Sequence, residues 1–162
     1  MLKRLFAGLL SLAAALLPGC DAIFLDEFKP GITTAAEVQK RMGAPAAEYA
    51  NPDGSVTWEY NRQPNGVQTH MLTFGPDKVL LRIEQVLAEP YFVQITNGMD
   101  KSQVTRILGK PARTMVFPLK KEEVWDWRIE ENHPQGEWYF HVHFDADSGR
   151  VVRTSKLMVP GP

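Results

Sequence analysis

A pattern that closes a helix occurs twice in this chain of 162 residues, and two copies of a pattern call for two copies of a structural unit. The first copy runs Gly31-Ile32, then Thr34, Glu37, Val38, Gly43 and Pro45. The second runs Gly98-Met99, then Asp100, Gln103, Val104, Gly109 and Pro111. From the Thr34 or Asp100 position to the closing proline the spacings are identical. Self-similarity of this kind marks a duplicated scaffold, and it constrains the fold more than any single residue does.

The physical content of the pattern is direct. Thr34-x-x-Glu37 and Asp100-x-x-Gln103 are capping boxes, in which the first side chain accepts from an orphan N–H and the fourth reaches back to the cap. Apolar residues follow at helical spacing, Val38 with Met42 and Val104 with Ile107 and Leu108, which sets them on one buried face. Gly43 and Gly109 fall where a left-handed residue ends a helix, and Pro45 and Pro111 prevent its continuation. Helices of about two turns are too short to persist in water alone, so packing must hold them.

The correspondence continues past the helices. Val56-Thr57-Trp58-Glu59-Tyr60 answers to Glu123-Val124-Trp125-Asp126-Trp127, with aromatics at period two, which is the alternation of a strand. Gln68–Phe74 answers to Trp138–Phe144, matching Leu72 to Val142 and Phe74 to Phe144. A turn follows in each copy, Gly75-Pro76-Asp77-Lys78 and Asp145–Gly149, and then a third strand, Val79–Ile83 and Val151–Thr154. Each unit is therefore expected to be a helix, a short irregular or helical segment, and a three-stranded antiparallel meander. The fold class is α+β, two such units in tandem.

Asn51-Pro52-Asp53-Gly54 reads as a turn, and Gln63–Gly66 and Asn132–Gly136 read as hairpin loops. The expected boundaries are residues 28–87 for the first unit, 88–91 for a connector and 92–157 for the second unit, with a tail over 158–162. The connector Ala88-Glu89-Pro90-Tyr91 is short and lacks the Gly/Ser content of a flexible linker, so the units are expected to pack on each other. One unit of about 60 residues is marginal alone, whereas a joint body of about 140 can bury nearer two-thirds of its surface.

Lys3 and Arg4 precede an apolar run from Leu5 to Leu17, which is signal-peptide anatomy and shorter than the roughly 20 residues a spanning helix needs. Residues 1–19 are read as that signal and 20–27 as a linker. Leu17-Pro18-Gly19-Cys20 resembles the lipobox of bacterial lipoproteins, and Cys20 is the only cysteine. The resemblance implies cleavage before Cys20, acylation of that cysteine and export across the inner membrane. Acyl chains contribute about 0.8 kcal/mol per buried methylene, enough for several to hold a protein on a membrane. With Cys20 committed, no disulfide can form, and stability rests on packing.

Composition excludes several function classes. The formal charge is −1, from 18 basic and 19 acidic residues, and loss of Lys3 and Arg4 with the signal leaves 16 basic residues against the same 19. There is no basic stripe with interleaved aromatics, so nucleic acid is not an expected partner. His141-x-His143 sets two imidazoles on one side of a strand, away from the Trp138, Phe140, Val142 and Phe144 side, with His133 in the preceding loop. Two ligands fall short of the three or four of a zinc site, and the pair reads as histidines on a solvent or partner face. Glu122-Glu123 and Glu130-Glu131 flank the aromatic strand without a pocket to join them, and Ser102 and Ser148 lack a nucleophile-elbow setting. No catalytic residue, cofactor or metal is assigned. The residues offered to a partner are Trp125, Trp127, His141 and His143.

Taken together, Asn97–Val104, Ile107-Leu108-Gly109-Lys110-Pro111, Val124-Trp125-Asp126-Trp127 and Phe144-Asp145 resemble the SmpA/OmlA (BamE) family of outer-membrane assembly lipoproteins. Pro30-Gly31-Ile32-Thr33, Arg41–Pro45, Trp58-Glu59-Tyr60 and Leu72-Thr73-Phe74 resemble it in the first unit. The resemblance implies a small α+β lipoprotein that faces the periplasm and acts, without catalysis, by contact with envelope proteins such as the β-barrel assembly machinery. A typical member has one unit; the tandem pair is similar in arrangement to the β-lactamase inhibitory proteins, which implies as an alternative an inhibitor or sensor that binds an envelope enzyme across both sheets. A metal or small-ligand module is the lesser alternative. The family places such a protein at the outer membrane, while Asp21, directly after the cysteine, resembles an inner-membrane retention signal.

Overall fold

The helix-closing pattern builds what its chemistry dictates. In a computed structural model, which describes residues 21–130 and 136–160, two short helices start at the two capping boxes, α2 (Ala35–Met42) and α4 (Lys101–Leu108). Thr34 Oγ1 accepts from the Glu37 amide while Glu37 Oε2 accepts from the Thr34 amide; Asp100 and Gln103 exchange the same pair of bonds. Each helix ends on its glycine, whose N–H bonds the carbonyl four residues back, Gln39 or Thr105. Their torsions, φ 80° and ψ −168° at Gly43, φ 76° and ψ −174° at Gly109, are positive in φ as expected. They are not those of a left-handed helical residue, and lie in a region that only glycine enters without strain.

Each helix is followed by four strands. The first sheet is β1 (Ala47–Ala50), β2 (Val56–Asn61), β3 (Thr69–Phe74) and β4 (Leu80–Gln85); the second is β5 (Arg113–Phe117), β6 (Glu122–Ile129), β7 (Gly136–Asp145) and β8 (Val151–Pro160). Both are antiparallel and paired in chain order. The expected three-strand meander is thus a four-strand one: the segment between helix and first predicted strand is itself an edge strand. The registers repeat, with Trp58 opposite Leu72 as Trp125 is opposite Val142. Bridges between Thr34 and Val79, and between Asp100 and Arg150, tie each helix start to its last strand.

Other expected boundaries shift. Residues 21–27, read as a linker, form helix α1 (Asp21–Glu27), and the connector contains helix α3 (Glu89–Phe92). The last strand runs through the expected tail to Pro160. Cys20, the signal segment and His133 lie outside the described residues.

Two apolar cores result. Val38, Tyr60, Leu72, Phe74 and Leu80 pack under α2, with Phe24, Leu25 and Phe28 closing the side beneath α1. Val104, Leu108, Trp127, Val142 and Phe144 pack under α4, with Phe92 of α3 stacked on Phe140 at 4.1 Å. Each such buried side chain contributes about 1.5–3 kcal/mol.

Strand alternation sends Glu59, Asn61 and Thr69 to the second face of the first sheet, and the C-terminal end of α4 sits on that face. The Lys110 amide donates to Glu59 Oε1 at 2.9 Å, and Asn61 Nδ2 donates to the Lys110 carbonyl at 2.7 Å. Gln63 holds the second sheet as a strand would, accepting from the Arg128 amide and donating to its carbonyl at 2.9 and 2.6 Å. The molecule is therefore a head-to-tail stack of helix, sheet, helix, sheet. Only the second sheet has a face with no helix over it among the described residues.

Candidate functional site

That uncovered face is built by every second residue of β5 to β8, and the sequence-predicted histidines stand at its centre. His141 lies opposite Asp126, and His143 lies between Val124 and Arg153. They do share one side of the strand, but they are not on open solvent: His143 is 7% exposed and His141 half-buried. Neighbouring charged side chains cover them. Arg113 Nε and an η nitrogen both donate to Asp126 Oδ2, at 2.9 and 2.7 Å, and Arg113 lies 5.7 Å over the Tyr139 ring. His143 Nδ1 is 3.3 Å from Glu122 Oε2 and its Nε2 is 3.0 Å from Ser155 Oγ, while Arg153 also reaches Glu122.

Burial and hydrogen bonding decide the charge states. Burial holds His141 below the ordinary histidine value against the pull of Asp126, and Arg113 and Arg153 add repulsion. Burial does the same to His143 against Glu122. For Glu122 burial acts upward, but bonds from Arg153 and His143 outweigh it and hold the carboxyl low. The two imidazoles are thus neutral at pH 7, and His143 stands beside an ionised Glu122.

Asp126 corresponds to Glu59 in the repeat, and both are fully buried. Glu59 is satisfied from both units: the Lys110 amide of the next unit and Asn61 of its own donate to one oxygen, and the Tyr49 hydroxyl of its own donates to the other at 2.6 Å. Burial, then this bond, push the Tyr49 hydroxyl up. Asp126 has Arg113 in place of a following unit, and its Oδ1 accepts no hydrogen bond; His141 Nε2 stands 3.6 Å away. The aligned carboxylates, each between two aromatics, were legible in the sequence as Trp58-Glu59-Tyr60 and Trp125-Asp126-Trp127, yet neither residue was among the predicted site residues.

The tryptophans divide. Trp127, expected at a partner surface, is fully buried beneath α4, and its Nε1 donates to the Gly109 carbonyl at 3.2 Å. It belongs to the core because the face at period two is the face the helix covers. Trp125 lies at the rim of that core, 4.9 Å from Phe144, with Lys101 at 5.7 Å over its ring and Glu123 on its Nε1. Apolar groups border the open face instead: Phe117 is 39% exposed, Leu157 51% and Val159 43%.

Between the units, Tyr49, Arg82, Glu84, Tyr91 and Arg106 line a cleft of about 210 Å³. Its charges are engaged: Arg82 pairs with Glu84, Tyr91 donates to Glu84, and Arg106 bonds Asn51 and the Ala50 carbonyl. It is a joint between units. Among the described residues no group of three or more His, Cys, Asp or Glu side chains is placed to hold a metal ion, and no helix is long and apolar enough to cross a membrane.

No family model and no curated protein matches the chain. Among solved structures it is similar to one described as a "putative beta-lactamase inhibitor protein" from Streptococcus mutans, at 10% sequence identity and a TM-score of 0.34, over 85% of this chain and 94% of that one.

Proposed function

We propose that the chain is a non-enzymatic lipoprotein, acylated at Cys20 and held on an envelope membrane facing the periplasm, that works by binding other envelope proteins. The observation that carries the binding role is the unequal treatment of two equivalent sheet faces. The first sheet's second face supports a helix end; the second sheet's equivalent face is left open, with exposed Phe117, Leu157 and Val159 around a floor of paired charges. An apolar margin over a preformed, rigid platform suits protein contact, and the neutral, partnered histidines do not make a proton-transfer centre. The resemblance of the helix-closing segments and lipobox to the BamE family supports a role in assembling or maintaining outer-membrane proteins.

A second reading, an inhibitor or sensor of an envelope enzyme, uses the same face. It cannot use a concave surface shared by both sheets, because α4 occupies the first sheet. In-cell cross-linking of the membrane-bound protein, with inner and outer membranes separated first, tests both. Recovery of β-barrel assembly components supports the assembly role. A soluble enzyme as the main cross-linked species transfers the assignment to the second reading.

A further inference from the structure

Strand β8, one of two ten-residue strands among the described residues, lies at an edge of its sheet, paired with β7 on one side and bonded on the other, at Val151, to Gly98 and Met99. Its ten residues compare with six in β4, the equivalent edge of the first unit. Along such an edge, alternate main-chain N–H and C=O groups point away from the sheet and remain available to another strand. The side chains at this edge are unusually apolar for an exposed strand: Val152, Leu157 and Val159 are 40–51% exposed, and Val93, just past α3, is 66% exposed.

Beside the edge runs a groove of about 310 Å³. Phe92, Val93, Ile95 and Phe140 form its apolar side, and consecutive residues of β8 from Thr154 to Lys156 form the other. Side chains of consecutive strand residues point in opposite directions, so a groove lined by three in a row opens on the strand's own edge. Lys156 pairs with Glu89 at 2.7 Å and lies 5.3 Å over the Phe92 ring, linking β8 to α3.

We infer that β8 and α3 form a docking site for an extended polypeptide strand, which pairs along the free edge of β8 and places one large apolar side chain in the groove beside α3. Main-chain hydrogen bonds along an edge supply affinity and a pocket for alternate side chains supplies selectivity, a division of labour found wherever a strand is bound between a sheet edge and a helix. The edge demands extended backbone, and the groove demands an aromatic or large aliphatic group. The charged residues of β8, Arg153 and Lys156, pair within the molecule with Glu122 and Glu89, so selection of the incoming strand falls to its extended backbone and its apolar group. This site lies along the strand edge and beside α3, bordering the open sheet face at Leu157 and Val159, and does not depend on Cys20.

The test is titration of the full chain with a synthetic peptide alternating threonine and valine, with a central phenylalanine and a glutamate at each end, read by calorimetry and by amide hydrogen exchange. Saturable binding with slowed exchange over Val152–Met158 is expected. N-methylating the amides on one edge of the peptide should weaken binding at least about tenfold, the equivalent of losing one or two hydrogen bonds, and methylating the opposite edge should not. Val93→Asp, at an exposed position that leaves the fold intact, should weaken binding several-fold. Equal binding by both methylated peptides, protection confined to the open sheet face, pairing of two copies through β8, or no binding at all would each overturn the inference. None of these results bears on the envelope cross-linking experiment, so the two readings fail separately.

Discussion

Gly43 and Gly109 have the same torsions but different surroundings, and the difference separates backbone strain from packing. A side chain at either position meets a positive φ that costs about 1–3 kcal/mol. At Gly43 nothing lies within 4 Å of an added Cβ, whereas at Gly109 it would stand 2.8 Å from Thr69 and 2.9 Å from Glu59. Gly109→Ala is therefore expected to lower the denaturation midpoint clearly more than Gly43→Ala, because it also pushes the second unit off the first sheet. Equal losses would show that the helix end does not sit where the structure sets it. Trp127→Ala should cost about 3–5 kcal/mol as a core truncation, and Trp125→Ala less.

His70, His141 and His143 all titrate below their ordinary value of 6.5, each through burial first. A depressed histidine keeps the folded state neutral while the unfolded state takes up protons, so its contribution is present above pH 6.5 and is lost as pH falls below it. Melting temperature is expected to drop between about pH 7 and pH 5, above the range where carboxylates with a reference value near 4.5 titrate. Replacing His141 and His143 with glutamine should flatten the drop. A melting temperature that rises toward pH 5 contradicts the burial of these rings. Their burial was not legible in the sequence, where period two shows which side of a strand a residue takes but not that Arg113 and Arg153 arrive from neighbouring strands to cover it.

Among the elements, the helices and central strands were readable because their signals are local: a cap side chain, a closing glycine, alternating aromatics. The edge strands β1 and β5 were not. Ala47–Ala50 has no β-branched residue, and Arg113–Phe117 is confined between Pro111 and Pro118. The first becomes a strand through the partner it finds, as tertiary pairing overrides weak propensity, while the second carries strand-forming Thr114, Val116 and Phe117 but reads as a connection because prolines bound it on both sides. Helix α1 was missed for the same reason as β1, since Phe24 and Leu25 acquire an apolar face only once α2 and its sheet are in place. The joint between units is likewise a tertiary product, and Gln63 carries much of it. Gln63→Ala removes two hydrogen bonds to Arg128 and is expected to cost about 1–3 kcal/mol, measured by chemical denaturation. A loss shared equally by Gln68→Ala, whose side chain makes no such bond, would point to a local effect of the loop.

At the scale of the whole molecule, duplication supplied two units and stacking made them unequal. Among the described residues the first sheet is enclosed on both faces and the second on one, so stacking leaves the proposed binding role a single open sheet face. In sequence Cys20 directly precedes helix α1 (Asp21–Glu27), so an anchor at that cysteine would hold the body close to the membrane. Mass spectrometry of the protein extracted from membranes tests the anchored-lipoprotein account most directly. The expected species is a chain that starts at Cys20 and carries the added mass of its acyl chains. A membrane-free chain, or one with an unmodified Cys20 or an intact Met1–Gly19 segment, would contradict it.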